Sequence, residues 1–385
     1  MRRLSLLVLA CVVAAAGVAA LRPTEPTAIA NPPPALPPVD IAIVATPHGA
    51  DARTSDVRVV FIDAAGAHDQ TLATLPHAPG AVLRGDVLRG SRGAMVVAGD
   101  EESARDRDWG SALWRVDAKG AQVLARGLYH ASRPLASVDG QVYVQRGASG
   151  AWPTPSETKL GKMRIDALSI DAVDADTGVA RVLHSWSGYT LHIAGEWRGE
   201  LVVYRVSFEG ADLIAIDRVT GAVRTLTALV PFARDFSIDE GRGALWMSNR
   251  DDHDRNAWIV ARVDLATGAV VRVATEQGES LAPFALPGGA VAWTASGRKG
   301  LVVAGAVDPK GSALRPLAPL GAGYDAVTSA SGDAVWTTIA HVPSGGGYDL
   351  AAAVHVASGT PVRLTTRDER VTVLGFVDGA NGGAR

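Results

Sequence analysis

Residues 233–275, ARDFSIDEGRGALWMSNRDDHDRNAWIVARVDLATGAVVRVAT, fall into four short apolar runs separated by turn residues. The runs are RDFSID, GALWMSN, AWIVARVD and AVVRVAT. Each is rich in Val, Ala, Ile or Trp, and each is bounded by Gly, Asp, Asn or Thr, the pattern of strands joined by hairpins. Between the third and fourth runs stands D-L-A-T-G, Asp264 to Gly268. An aspartate there accepts hydrogen bonds from its own turn, and the glycine supplies the positive φ at the turn's end.

The same turn recurs along the chain. It reads FIDAAG to Gly66, RVDAKG to Gly120, AVDADTG to Gly178, AIDRVTG to Gly221, RVDLATG to Gly268, AVDPKG to Gly311 and HVASG to Gly359. The last copy has Ala357 in place of aspartate. The glycines are 43 to 58 residues apart. Tyr143, Trp246, Trp293 and Trp336 repeat at the second run, where an aromatic suits packing between units. Four strands in each unit of about 40–50 residues is the β-propeller pattern.

The two ends complete one another. The first unit opens with VDIAIVAT, VRVVFID and TLATL and lacks an innermost strand. The last unit is complete by RLTT, yet RVTVLGFVDG, Arg370 to Gly379, follows and matches the innermost runs PLASVDG and RDFSIDEG. The C-terminal strand is therefore predicted to complete the first blade, leaving no open edge between first and last. The prediction is an all-β, seven-bladed propeller of four-stranded blades over residues 39–385.

Ala233 to Thr275 resembles the repeat of TolB-type (WD-like) propellers. The matching residues are Phe236, Ser237, Asp239, Ser248, Arg250, Asp251, Asp264, Gly268 and Arg272, and Arg363, Leu364 and Thr365 echo them in the last unit. The family's proline after serine is Ile238 here, and the glycine of its R-D-G is Asp252. Other units match only at the hairpin turn. The resemblance implies an exported, protein-binding or scaffold propeller. The repeat is shared by propellers of secreted peptidases, whose hydrolase domain has no room in this length.

Ahead of the repeats, Arg2 and Arg3 precede LSLLVLACVVAAAGVAAL, Leu4 to Leu21. A positive start followed by a long apolar run is an export signal. V-A-A at Val18 to Ala20 and A-I-A at Ala28 to Ala30 suit a signal peptidase; uncleaved, about 18 apolar residues would span a bilayer as an anchor. Positive-inside orientation then puts the rest outside the cytoplasm, in the periplasm or beyond. Cys11 sits in a loose lipobox, but the apolar run continues past it, so a cysteine within the signal is the reading adopted. Residues 22–38, RPTEPTAIANPPPALPP, form a semi-rigid polyproline linker.

The 385 residues carry a formal charge of −3. Without Arg2, Arg3, Arg22 and Glu25 it is −5, which gives nucleic acid no basic footprint. The single cysteine excludes a disulfide framework and a cysteine zinc site. The 42 glycines suit a chain of many tight turns.

Catalytic and cofactor motifs are missing. There is no H-E-x-x-H, nucleophile elbow or P-loop. GAGYDA, Gly321 to Ala326, mimics a dinucleotide fingerprint, but VTSASGDAVWTT after it reads as strands rather than a helix. Asp252, Asp254 and Asn256 resemble the start of a calcium loop, yet Ala257 and Val263 occupy the positions needing Gly and Glu, so Asx turns are expected. The T-G turns at Gly178, Gly221 and Gly268 lack the following Trp of quinone-cofactor propellers. No cofactor is expected.

Function is then expected on the loops of one ring face, where fourth strands pass to the next first strands. Those loops supply His77, Tyr129, His130, Arg133, Tyr189, Phe232, Arg234, Tyr324, Arg367 and Arg370. Tyr and Arg carry interface energy, so the candidate binding residues are His77, Tyr129, His130, Arg133, Tyr189, Arg234, Tyr324, Arg367 and Arg370. Trp109 and Trp152, on long loops of the same face, are further anchors or edge covers. The favoured function is a non-enzymatic binding propeller with a protein partner in the cell envelope. The alternative is a secreted hydrolase, lactonase or lyase using His77, His130, Glu279 and Glu369 as acid–base groups.

Overall fold

The second and third runs of each repeat are apolar at nearly every position, so both their faces need cover. The fourth runs carry Thr, Arg, Gln and Asp and tolerate an open edge. A computed structural model describes residues 36–49, 51–63, 66–91, 93–102, 110–129, 132–147, 168–187, 190–207, 209–254, 256–277, 281–286, 289–294, 301–304, 315–316, 326–333, 335–341, 350–356, 358–365 and 368–377. Pro37–Arg385 forms one unit.

In chain order, the strands begin with β1 (Val39–Pro47), β2 (Thr54–Asp63) and β3 (Gly66–Pro76). A second quartet is β4 (Arg84–Val87), β5 (Met95–Asp100), β6 (Ser111–Asp117) and β7 (Gly120–Leu128). The third is β8 (Leu135–Ala136), β9 (Gln141–Gly147), β10 (Leu168–Asp174) and β11 (Ala180–Trp186). The fourth is β12 (Thr190–Trp197), β13 (Glu200–Val206), β14 (Ala211–Asp217) and β15 (Val223–Leu229), and the fifth β16 (Arg234–Asp239), β17 (Ala244–Arg250), β18 (Ala257–Asp264) and β19 (Val270–Gln277). Two more follow: β20 (Phe284–Ala285), β21 (Val291–Thr294), β22 (Leu301–Ala304) and β23 (Arg315–Pro316), then β24 (Ala326–Ala330), β25 (Trp336–His341), β26 (Leu350–His355) and β27 (Thr360–Arg363). The chain of strands ends with β28 (Glu369–Val377). No α-helix occurs among the described residues.

Every pairing is an antiparallel one between neighbours, with the order β28-β1-β2-β3 in the first sheet. The predicted closure is therefore present: β28 runs against β1 from Asp40↔Val377 to Pro47↔Glu369. The second and third quartets join into one eight-stranded sheet at a single pair, Leu128↔Arg146. The cause is the shortness of β8. Where β8 is missing, the chain entering the third quartet pairs with β9, through Leu128 and through Tyr129 N–H to Gln145 O at 3.1 Å. The strands after Gly321–Ala326 are β24 and β25, so the dinucleotide-like motif meets no helix.

The core lies between successive sheets. Val44, Val57 and Val59 of the first sheet pack on Met95, Val97 and Trp114 of the second quartet. Tyr143, Leu168 and Ile170 meet Leu191, Leu201 and Ile214, and Trp246 and Trp258 meet Trp293. Tyr143, Trp246, Trp293 and Trp336 are all at most 2% exposed, so the repeated aromatic serves packing between sheets. The outer strands β3, β11 and β15 are mostly exposed.

The D-x-x-T-G turn is built three times in one geometry. Asp174, Asp217 and Asp264 each accept at Oδ1 the backbone N–H and the hydroxyl of Thr177, Thr220 and Thr267, at 2.7–2.9 Å. Gly268 closes the turn at φ +74°, and a Cβ there would strike the carbonyl oxygen of Leu226 in the preceding quartet's outer strand. Glycine is thus required for its φ and for the approach of the preceding sheet. These hydrogen bonds hold the three carboxyls below the usual carboxylate range.

Candidate functional site

First strands have only one neighbour, so their free edges turn toward the ring's axis. They enclose a cavity of about 740 Å³, lined from β4, β8, β12, β16, β20, β24 and β28. Register fixes its two ends. Arg84 stands opposite Ala98, late in β5, whereas Arg89 lies in the turn before β5 begins. The mouth is therefore the end carrying Arg84, Arg133 and Arg234, and the far end carries Arg89, Glu196 and Glu240.

The far end is bridged. Both terminal nitrogens of Arg89 donate to Glu240 Oε1 at 3.3 Å, joining the first-to-second turns of the second and fifth quartets. Glu196 faces Arg218 at 3.2 Å. Arg218 also donates to Ser137 Oγ at 2.6 Å and to Asp139 Oδ2 at 2.9 Å, which ties the third quartet to the fourth.

Within the channel, Asp86 accepts two backbone N–H groups, from Val87 at Oδ1 and from Ala136 at Oδ2, each at 2.9 Å. Burial raises its pKa, against the lowering effect of those hydrogen bonds and of Arg133 and Arg89. Gln145 is 1% exposed and its Oε1 has no hydrogen-bond partner. It is the one residue of a second strand among the described lining residues. The two-residue β8 explains this: in the third quartet the first strand stops short, so the second strand's side chain reaches the wall.

Backbone strain gathers at the mouth. Of the described non-glycine residues, four have positive φ: Arg198, Phe232, Asp235 and Ala282. Phe232, Asp235 and Ala282 stand where the chain enters the fifth and sixth quartets, and the last two line the cavity. Such strain persists only where surroundings enforce it. Here Ser248 Oγ donates to Asp235 Oδ2 at 2.6 Å, and the Arg234 guanidinium lies 4.1 Å from the Trp258 ring centre.

The candidate binding residues separate in space. Arg133 and Arg234 line the cavity. Tyr129 is half-buried and packs on the Tyr143–Leu168–Ile170 cluster. Arg370 is half-buried, with its backbone opposite Thr46. His77 is fully buried: its Nδ1 donates to Ala78 O at 2.8 Å, its Nε2 is hydrogen-bonded to Ser55 Oγ at 2.8 Å, and Ser55 Oγ is hydrogen-bonded to Thr46 Oγ1 at 2.7 Å. Glu369 is engaged by Arg58. His130, Tyr189, Glu279, Tyr324 and Arg367 lie outside the described residues, as do Cys11, Trp109, Trp152 and Gly311. Asp86, Gln145 and His192 were missed by motif reading. Asp86 alone had a signal, a carboxylate inside a first-strand run.

The Asp251–Asn256 segment is an Asx-turn loop: His253 N–H donates to Asp251 Oδ1 and Asn256 N–H to Asp254 Oδ1, each at 2.9 Å. Among the described residues no three His, Cys, Asp or Glu side chains converge as a metal site would need.

No family model matches the chain, and no curated protein matches it. Solved structures do. A prolyl endopeptidase aligns with 86% of this chain and 50% of its own, at TM-score 0.56 and 15% identity, so this chain spans half the length of that enzyme. An oligogalacturonate lyase from Vibrio parahaemolyticus aligns over 86% of this chain and 90% of its own, at TM-score 0.50 and 12% identity. TolB from Acinetobacter baumannii aligns over 75% and 70%, at TM-score 0.42 and 15% identity. The first two likenesses show the β-propeller fold and nothing finer.

Proposed function

We propose that this chain is an exported, non-enzymatic binding propeller of seven blades that engages a ligand or protein of the cell envelope at the mouth of its channel. Seven blades follow from reading the eight-stranded sheet as two quartets joined at Leu128↔Arg146. The observation that carries the function is the channel itself. It is a cavity of about 740 Å³ with three arginines at one end and the Arg89–Glu240 bridge across the other. That volume lies in the range of small-ligand sites, roughly 300–1,000 Å³. Export rests on Arg2, Arg3 and the apolar run after them, and the same segment, if retained, attaches the protein to the membrane.

The hydrolase or lyase reading draws its support from Asp86, a channel carboxyl whose pKa is raised by burial. Raised carboxyls suit general acids. His77 and Glu369, two of the acid–base candidates, are instead held in buried hydrogen bonds.

The test is cell fractionation with a photo-crosslinking amino acid at position 234 or, as control, at position 224 on the outer strand β15. An envelope-fraction protein with an adduct specific to position 234 is expected. A cytoplasmic protein, or equal labelling at both positions, overturns the reading.

A further inference from the structure

Phe232, in the loop that joins the fourth and fifth quartets, is held in a conformation its side chain disfavours, with its ring in water. Its φ is +84°, the largest of the four positive values on described non-glycine residues, and bulky side chains seldom adopt that region. The ring is 62% exposed, and the other exposed large apolar residues among those described are all valines. The loop is clamped from below. Tyr204, 2% exposed, accepts the N–H of Ala233 at 3.2 Å, and Ala233 is itself buried. Strain enforced in this way points to use, since glycine makes the same turn at less cost.

Against the ring stands a cation without an anion. Arg250 ends β17, opposite Trp258, and its guanidinium lies 5.3 Å from the Phe232 ring centre. Its Nε is buried with no hydrogen-bond partner, and among the described residues no carboxylate comes within ion-pair distance of it. The next residue, Asp251, is engaged by Arg272 instead. Neither Phe232 nor Arg250 lines the cavity. Small-molecule sites are concave, so a ring and a cation on the rim suit a larger partner. Aromatic and arginine side chains are the ones enriched where proteins meet.

Resting on the channel-mouth reading above, we propose that Phe232 and Arg250 dock an extended apolar segment of a partner protein that carries a single carboxylate. The segment's apolar side chains cover the outer face of the ring, and its carboxylate meets the guanidinium as a charge-assisted hydrogen-bond acceptor. Asp252 and Asp254, exposed in the loop after Arg250, repel further negative charge. One carboxylate therefore fits and an acidic run does not.

The test is fluorescence anisotropy of the full chain with labelled, end-blocked peptides LLELL, LLQLL and LLEEELL, together with flotation on phosphatidylglycerol vesicles. LLELL should bind, the other two peptides about tenfold or more weaker, and the vesicles not at all. Phe232→Gly should melt within about 2 °C of the parent, because relief of strain offsets the lost ring contact, yet bind LLELL about tenfold or more weaker. Arg250→Gln should lose the preference for LLELL over LLQLL. No LLELL binding, equal binding of LLQLL by the parent, vesicle binding, or a Phe232→Gly protein that binds as the parent does overturns the proposal. A Phe232→Gly protein that melts far lower overturns it too, since the ring would then be part of the fold. A position-234 adduct without LLELL binding would sink this inference and spare the channel-mouth reading.

Discussion

Arg58 and Glu369, 311 residues apart, form a two-point ion pair inside the first sheet. Arg58 Nη1 donates to Glu369 Oε2 at 2.9 Å and Nη2 to Oε1 at 2.8 Å, with the side chains 2% and 8% exposed. Asp56 takes a further bond from Nη2 at 2.6 Å, and the Thr365 hydroxyl donates to Glu369 at 3.0 Å. Burial pulls the guanidinium's pKa down, but the hydrogen bonds to Glu369 and Asp56 outweigh it and the net shift is upward. The pair fastens the C-terminal strand to the N-terminal ones.

Glu369→Leu takes away the two-point partner of Arg58 but leaves Asp56 and, at 3.5 Å, Asp69 beside the guanidinium, so the loss should be about 1.5–3 kcal/mol. The double variant Arg58→Met, Glu369→Leu should recover most of that loss. Urea unfolding measures both. Equal losses in the single and double variants would show that the strand, not the pair, closes the ring.

Gly268→Ala should destabilise more than Gly90→Ala. Both glycines have positive φ, +74° and +76°, but a Cβ at 90 meets nothing within 4 Å whereas one at 268 strikes Leu226. Strain alone costs about 1–2 kcal/mol, which is the expectation for Gly90→Ala. Gly268→Ala should exceed it and lower the melting temperature further. Calorimetry of the two variants checks the order.

Acid should weaken the ring through its outer turns. Asp174, Asp217 and Asp264 have lowered pKa values, chiefly from hydrogen bonds to their threonines. Their contribution is full above the unfolded value, near ~3.9, and is lost as pH falls through the lower folded values. Asp86 works in the opposite sense. Its folded pKa is raised, so its contribution is full below the unfolded value and fades as pH rises through the folded one. Unfolding free energies from pH 2 to 6 for the parent and an Asp174→Asn, Asp217→Asn, Asp264→Asn variant should converge toward low pH.

The Arg89–Glu240 bridge is exposed, 44% and 58%. Arg89→Ala should therefore change stability by less than about 1 kcal/mol, and less still in high salt. A larger loss in urea melts would mean that the bridge holds opposite sides of the ring together.

Much of the fold could be read from Ala233–Thr275. Its four runs became β16 to β19, and its D-L-A-T-G became a turn with the expected aspartate–threonine bonds. These features are local: each needs only a strand period and a turn residue. The wall of the channel was less legible. Arg133 and Arg234 could be found because they flank first strands, but Gln145 sits in a second strand that other first strands would hide. Its place depends on β8 ending after two residues, and that depends on Tyr129 and Ser132 bonding to Gln145 instead. The buried role of His77 was equally hidden, since a loop position in sequence says nothing of the Ser55 and Thr46 hydroxyls beside it.

Alternation, turn chemistry and a spare C-terminal strand were enough, by themselves, to determine an all-β ring of four-stranded units that closes on its own beginning. They act through neighbours in the chain or through pairing that any apolar strand can make. The tertiary structure alone decided which charges meet. Arg58 with Glu369, Arg89 with Glu240 and Arg218 with Glu196 join residues of different strands and turns, and Coulomb energy depends on separation in space rather than along the chain.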